Sequence, residues 1–192
     1  MTAPIVTINR LEADPVSSRR TEFVERKGLG HPETICDGIA ESISRRRSEY
    51  YREEFDRVLH HDTDTVQLVA GSAKPAFGGG SVEDPIHVLL GGRATKAVDG
   101  HRVPVDELTT EAARAYVTDT FDHLNPGTAE FDARIGKASP DRRTLFDAKG
   151  VARANDWSVG VGYAPLSETD RIVKGLEPSI RTLRPPWARI SW

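Results

Sequence analysis

The chain has 192 residues, 26 Lys and Arg against 29 Asp and Glu, a formal net charge of −3 and 38% hydrophobic residues. That length suits one domain or one and a half, and the slight acidity argues against a nucleic-acid-binding surface. A single cysteine, Cys36, excludes an intrachain disulfide framework and fits a reducing compartment, while no apolar run is long enough to span a membrane; the expectation is a soluble, cytoplasmic protein with no nucleic-acid or membrane partner.

Residues 1–20 show little periodicity and read as a flexible lead. Residues 21–26 alternate briefly and read as a strand feeding a glycine turn, Lys27-Gly28-Leu29-Gly30. A helix follows from Pro32 to about Phe55. Pro32 suits the first helical position because its missing N–H would have no partner there, and His31 falls at or beside the N-cap. Glu33, Asp37 and Glu41 recur at i, i+4, i+8 and share one face, with Ile35, Ile39 and Ile43 on the opposite side. Tyr50 is expected to extend the apolar face, and Arg45-Arg46-Arg47 to lie on the solvated one. The helix start can attract an anion through its unpaired N–H groups and dipole, and a cation near the acidic row would relieve its repulsion. A plain solvated acidic face explains the same spacing.

Beyond the helix, His60-His61-Asp62-Thr63-Asp64 offers two imidazoles and two carboxylates, as metal ligands or as a polar active-site edge. Residues 65–70 and 86–90 read as strands, separated by a glycine loop at 78–80. Asp106 is expected to cap a helix running to about Asp122. Gly136-Lys137-Ala138-Ser139-Pro140-Asp141 holds the residue types of a phosphate loop without the Walker spacing, so a surface turn is the competing reading. Asp156 precedes a glycine-spaced strand around Val159 and Val161 and could receive an amino group or a ribose. Ser167-Glu168-Thr169-Asp170 resembles a capping box opening a helix that Gly175 and Pro178 cut short. Long helices alternating with strand pairs give an α+β class, with mixed or antiparallel sheets packed against the helices. The segments expected are the lead 1–20, a folded region 21–175 and a divergent tail 176–192.

Three segments taken together, Gly30-His31-Pro32-Glu33 on through Glu41, His60-His61-Asp62-Thr63-Asp64, and Asn155-Asp156 on through Thr169, resemble in order the archaeal-type S-adenosylmethionine synthetases. Gly91-Gly92-Arg93-Ala94-Thr95 and Arg134-Ile135-Gly136 look like that family too. The resemblance implies that fold in incomplete form, its N-terminal half only. It also implies adenosyl transfer from ATP to methionine, with phosphate and pyrophosphate released, using Mg²⁺ and K⁺, in a homodimer or with a second chain supplying the missing half. On that resemblance His31, Lys27 and Arg26 would stabilise the leaving polyphosphate, and Glu25, Glu33 and Asp62 would hold the metal. Asp156, Asp64, Gly136, Lys137, Ser139 and Asp141 would bind ATP or methionine. The alternative is a non-catalytic or regulatory partner of a full-length synthetase. Three positions depart from the family pattern: Glu33 stands where Asp is usual, Asp62 where Asn is usual and Trp157 where Thr is usual.

Overall fold

The computed structural model describes residues 6, 8–10, 12–77, 79–121, 127–137 and 161–182. They divide into two compact units, one made of the described residues up to Arg26 together with 161–182, the other running from Lys27 to Lys137.

In the second unit the elements in chain order are α1 (Pro32–Phe55), β1 (His61–Val69), β2 (Ser72–Ala76), β3 (Gly79–Asp84), β4 (Ile86–Ala94), β5 (Ala97–Val98), β6 (His101–Arg102), α2 (Val105–Thr120) and β7 (Ala129–Lys137). β1, β4 and β7 form a three-stranded sheet in that order, β1 antiparallel and β7 parallel to β4. β2 and β3 form a separate hairpin, and β5 and β6 a two-residue ladder. The class is therefore mixed α/β.

α1 begins where the sequence places it. Pro32 occupies N1, the His31 ring Nδ1 accepts the Glu33 N–H at 3.3 Å, and the chain leaves the helix at Asp56 in the left-handed region (φ 55°). Its buried row is Ile35, Ile39, Ile43, Arg47 and Tyr51, one residue in four. This corrects two expectations. Arg47 is only 1% exposed and lies in the core rather than on the solvated side, and the fully buried ring is Tyr51, with Tyr50 half-buried. The i+4 row simply continues two turns further than its aliphatic members.

Residues of even number in β4 and of odd number in β7 face the helices, as do Val66 and Leu68 of β1; before the bulge the alternation of β1 is reversed, and His61 faces α1. Val88 and Leu90 pack with Ile35, Ile39 and Ile43 of α1 and with Ala112, Ala113 and Val117 of α2. A second cluster joins Tyr51 to Leu59, Ala94, Val103, Val105, Leu108 and Ile135. The helices cross closely because α1 carries Gly38 beneath Tyr116, where any Cβ would overlap the ring.

α2 starts one residue before Asp106. Its N-cap is Pro104, whose carbonyl accepts the Leu108 N–H at 3.0 Å; Asp106 instead lies in the first turn, where its charge favours the helix dipole. β1 and β4 are longer than the alternation indicated, because their polar ends, His61–Asp62 and Arg93, are paired in the ladder.

In the first unit, residues 21–26 belong to no ladder, contrary to the expected strand. α3 (Glu168–Thr182) opens with the reciprocal box expected: Ser167 Oγ accepts the Asp170 N–H and Asp170 Oδ2 accepts the Ser167 N–H, both at 3.0 Å. Tyr163 Oη donates to the other Asp170 oxygen at 2.7 Å, which holds that carboxylate below its ordinary range. The helix runs through Gly175 and Pro178 instead of stopping there. Ser179 Oγ donates to the Gly175 carbonyl at 2.8 Å and Thr182 Oγ1 to the Ser179 carbonyl at 2.8 Å, stitching the last turns with side-chain donors.

Candidate active site

The expected site residues fall into separate groups. The first is the start of α1. His31 N–H donates to the Gly28 carbonyl at 3.0 Å, closing the glycine turn, and the imidazole caps the helix. Lys27 pairs with the exposed Glu33 carboxylate, and the hydrogen bond and charge of that lysine hold the acid below the usual range. Arg26 and Glu25 belong to the first unit. The Arg26 guanidinium is engaged there, Nε to Glu177 Oε2 at 2.8 Å, and Glu25 is exposed.

The second group lies at one end of the sheet. Cross-strand pairing sets Asp62 beside Arg93 and Arg93 beside Gly136, and in the next row His61 beside Ala94 and Ala94 beside Lys137. The parallel β4 and β7 thus bring their C-terminal ends together at the N-terminal end of β1. One extra β1 residue between Asp62 and Thr65 makes a bulge that contains Asp64, which is exposed. Asp62 Oδ1 accepts the Arg93 N–H at 2.6 Å. The exposed Arg93 side chain crosses Gly136, its Cγ 3.6 Å from where a Cβ would stand on that glycine. The result is an exposed corner in which Arg93 lies beside Asp62 on the sheet face away from the helices, while Lys137, paired with the buried Ala94, lies on the opposite face. Ser139, Asp141, Asp156 and Trp157 lie outside the described residues.

The histidine pair does not form the polar edge expected. His60 is buried, and its carbonyl accepts both the N–H (3.0 Å) and the hydroxyl (3.1 Å) of Thr95. His61 points at α1: Nδ1–H donates to the Leu59 carbonyl at 2.9 Å, leaving Nε2 to accept from the Ser44 and Ser48 hydroxyls at 3.3 and 3.4 Å. Both ring nitrogens are committed, which leaves neither for a metal. Burial keeps this imidazole below its ordinary value of 6.5, reinforced by the charge of Arg47. A histidine held neutral in the fold but free to charge when unfolded removes stability as pH falls below about 6.5, by at most about 1.4 kcal/mol per pH unit. Thermal melts from pH 7.5 to 5 are expected to show that loss, and a shallower one in His61→Gln; parallel slopes would exclude His61 as its source.

The same contacts fix how the two groups lie. Ser44 and Ser48 meet His61 at the start of β1, whereas Cys36 meets the Leu68 backbone near its end. α1 therefore runs antiparallel to β1, and Glu33 sits about 21 Å along the helix from Arg47 at 1.5 Å per residue. Glu33 and Asp62, both expected to hold one Mg²⁺, do not come together within one copy of the chain. Among the described residues no three His, Cys, Asp or Glu gather around a common point, so Glu33 and Asp62 do not share one ion within a single copy. The helix that separates the two acids is the physical reason.

Comparison with known proteins decides the family. The profile described as S-adenosylmethionine synthetase (AdoMet synthetase) matches residues 5–185. The chain belongs to the S-adenosylmethionine synthetase family. Among its relatives are proteins named S-adenosylmethionine synthase from Haloarcula marismortui, 48% identical over 167 residues, and Methanothrix thermoacetophila, 47% identical over 182 residues. A third, from Halobacterium salinarum, is 46% identical over 198 residues. These alignments cover 86%, 93% and 98% of this chain but only 42%, 46% and 48% of the relatives. The chain spans about half the length of the curated relatives it matches, and the half it matches is N-terminal. No helix among the described residues is long and apolar enough to cross a membrane.

Two residues of this synthetase-family chain at the same end of the sheet are not legible there in the sequence. Arg93 stands in a quoted motif, yet nothing local reveals that it lies beside Gly136. Arg47 was concealed by its two arginine neighbours; the i+4 spacing from Ile43 was the available signal.

Proposed function

We propose that this chain carries the N-terminal share of a methionine adenosyltransferase site, forming S-adenosylmethionine from ATP and methionine only when the rest of the family's fold is supplied. The observation that carries the reading is the His31-capped start of α1, a 24-residue helix entered through a glycine turn with Lys27 beside it. A helix N-terminus with adjacent cations stabilises negative charge, and the reaction's leaving group is a triphosphate, whose developing charge is what such a site must meet. His31 and Lys27 face that role, with Arg26 as a third cation. Gly136, Lys137 and Asp64 belong to the nucleotide side, together with Ser139, Asp141 and Asp156. The family generally uses ATP with Mg²⁺ and K⁺; in this reading the magnesium ligands, Glu25, Glu33 and Asp62, are distributed over more than one copy or chain. A homodimer or a second polypeptide completes the site, in a cytoplasmic setting.

A second reading, a non-catalytic partner of a full-length synthetase, is favoured by the separation of Glu33 from Asp62 along α1. One experiment separates them. The purified chain is incubated with ATP, methionine, Mg²⁺ and K⁺, alone and with the C-terminal half of the Haloarcula marismortui protein. S-adenosylmethionine is expected only from the mixture, and His31→Ala in this chain is expected to lower its formation about 100-fold, the scale of removing one charge-stabilising donor. No product from the mixture, or product indifferent to His31→Ala, overturns the catalytic reading.

A further inference from the structure

Arg47 has no role in the reading above, and its environment is unusual. The guanidinium is 1% exposed, and its contacts are neutral: Nη1 donates to the Asp62 carbonyl at 2.9 Å and Nη2 to Thr109 Oγ1 at 2.8 Å, while Nε is buried without a partner. Among the described residues it forms no salt bridge, and burial lowers its pKa. The carboxylates of Asp62 and Asp106 attract it without pairing with it, and a buried charge whose hydrogen-bond partners are neutral is a costly way to hold a fold together. What the side chain does achieve is geometric. It ties α1 to the first residue of the β1 bulge and to α2, whose Thr109 hydroxyl in turn donates to the Val105 carbonyl at 2.6 Å. Bulges re-aim neighbouring side chains, and this one begins at the residue paired with Arg93. The same Asp62 whose carbonyl Arg47 grips receives the Arg93 N–H on its carboxylate, and the exposed Arg93 side chain crosses Gly136.

We propose that Arg47 is a positioning residue: by holding the Asp62 carbonyl it fixes the backbone of Arg93, whose exposed guanidinium takes the polyphosphate of the nucleotide. The proposal rests on the reading above for its ligand and extends it to two residues. Arg93 touches the anion; Arg47 acts only through Asp62.

The test uses the full chain, inorganic tripolyphosphate as probe and two readouts: affinity by calorimetry and amide hydrogen exchange at Arg93. Arg93→Ala is expected to weaken the probe about tenfold, as is Arg47→Met, which also speeds Arg93 exchange about tenfold, the scale of one lost hydrogen bond. Thr109→Val, which removes the other guanidinium contact, is the structural control and leaves both readouts at wild-type values. Arg47→Lys keeps one donor within reach of Asp62 and restores most of both; if Arg47→Met does not fold, the comparison of Arg47→Lys with Thr109→Val decides. Wild-type readouts in Arg47→Met, or equal losses in Thr109→Val, overturn the proposal. So does faster Arg93 exchange with unchanged affinity. A wild-type chain that ignores tripolyphosphate while Arg93 exchange still responds to Arg47→Met removes the nucleotide reading and leaves the tie from Arg47 to Arg93 standing.

Discussion

Gly92→Ala is expected to destabilise the unit built on the three-stranded sheet by about 3 kcal/mol, the upper range for forcing atoms into a packed site. Gly92 has φ +153°, and a Cβ there would stand 2.5 Å from the Asp62 carbonyl oxygen and 3.2 Å from its Oδ1. Neither neighbour can retreat cheaply. The carbonyl is held by Arg47 at 2.9 Å and the carboxylate by the Arg93 N–H at 2.6 Å. A flexible side chain would swing aside; a backbone oxygen in a ladder moves only if β1 and β4 part. Gly136→Ala is the control. Its Cβ would meet only Arg93 Cγ and the Gly92 carbonyl oxygen, both at 3.6 Å, which is ordinary contact, so its stability is expected to change by no more than about 0.5 kcal/mol. Urea unfolding followed by circular dichroism checks both. Equal midpoints for Gly92→Ala and wild type would mean that the bulge yields, which would also weaken the case for Arg47 as its fixed post.

Local signals were read from the sequence with success where their partners are close in the chain. Pro32 at N1, the His31 cap and the isoleucine row placed α1, and Ser167 with Asp170 formed the box their spacing implied. Where the deciding partner is distant, or is a side-chain bond that no residue propensity contains, the sequence is silent. Residues 21–26 alternate like a strand, but alternation supplies no ladder. Pro178 reads as a stop because its cost of about 3 kcal/mol in a helix interior is local, whereas the Ser179 and Thr182 hydroxyls that bond the last turns are not visible in a propensity. Asp62, Arg93, Gly136 and Lys137 come from three strands that meet through one antiparallel and one parallel pairing. No spacing within a segment announces that corner. For the same reason Glu33 and Asp62, joined on one metal by motif alone, are set apart by a helix whose direction only the packing determines.

The two faces of α1 are expected to respond in opposite senses. Ile39 is fully buried, within a cluster containing Val88, Leu90, Ala113 and Val117. Ile39→Ala removes three buried carbons and leaves a cavity between a sheet and two helices that cannot both collapse onto it. The expected loss is about 3 kcal/mol, within the range for buried Ile or Leu to Ala changes. Set against the roughly 5–15 kcal/mol that holds a domain of ordinary stability, that is a large fraction, and the urea midpoint should fall accordingly. On the other face Glu33, Asp37 and Glu41 are all exposed. Asp37→Lys replaces two i, i+4 repulsions with attractive pairs to Glu33 and Glu41, and is expected to raise stability by about 0.5 kcal/mol at low salt, fading as salt screens it. The contrast is diagnostic because both changes lie on one helix within a single turn. If Ile39→Ala were tolerated as well as Asp37→Lys, the isoleucine row would not be the seam between α1 and the sheet. His31 and Lys27 would then lose the rigid support on which their proposed role toward a departing polyphosphate depends.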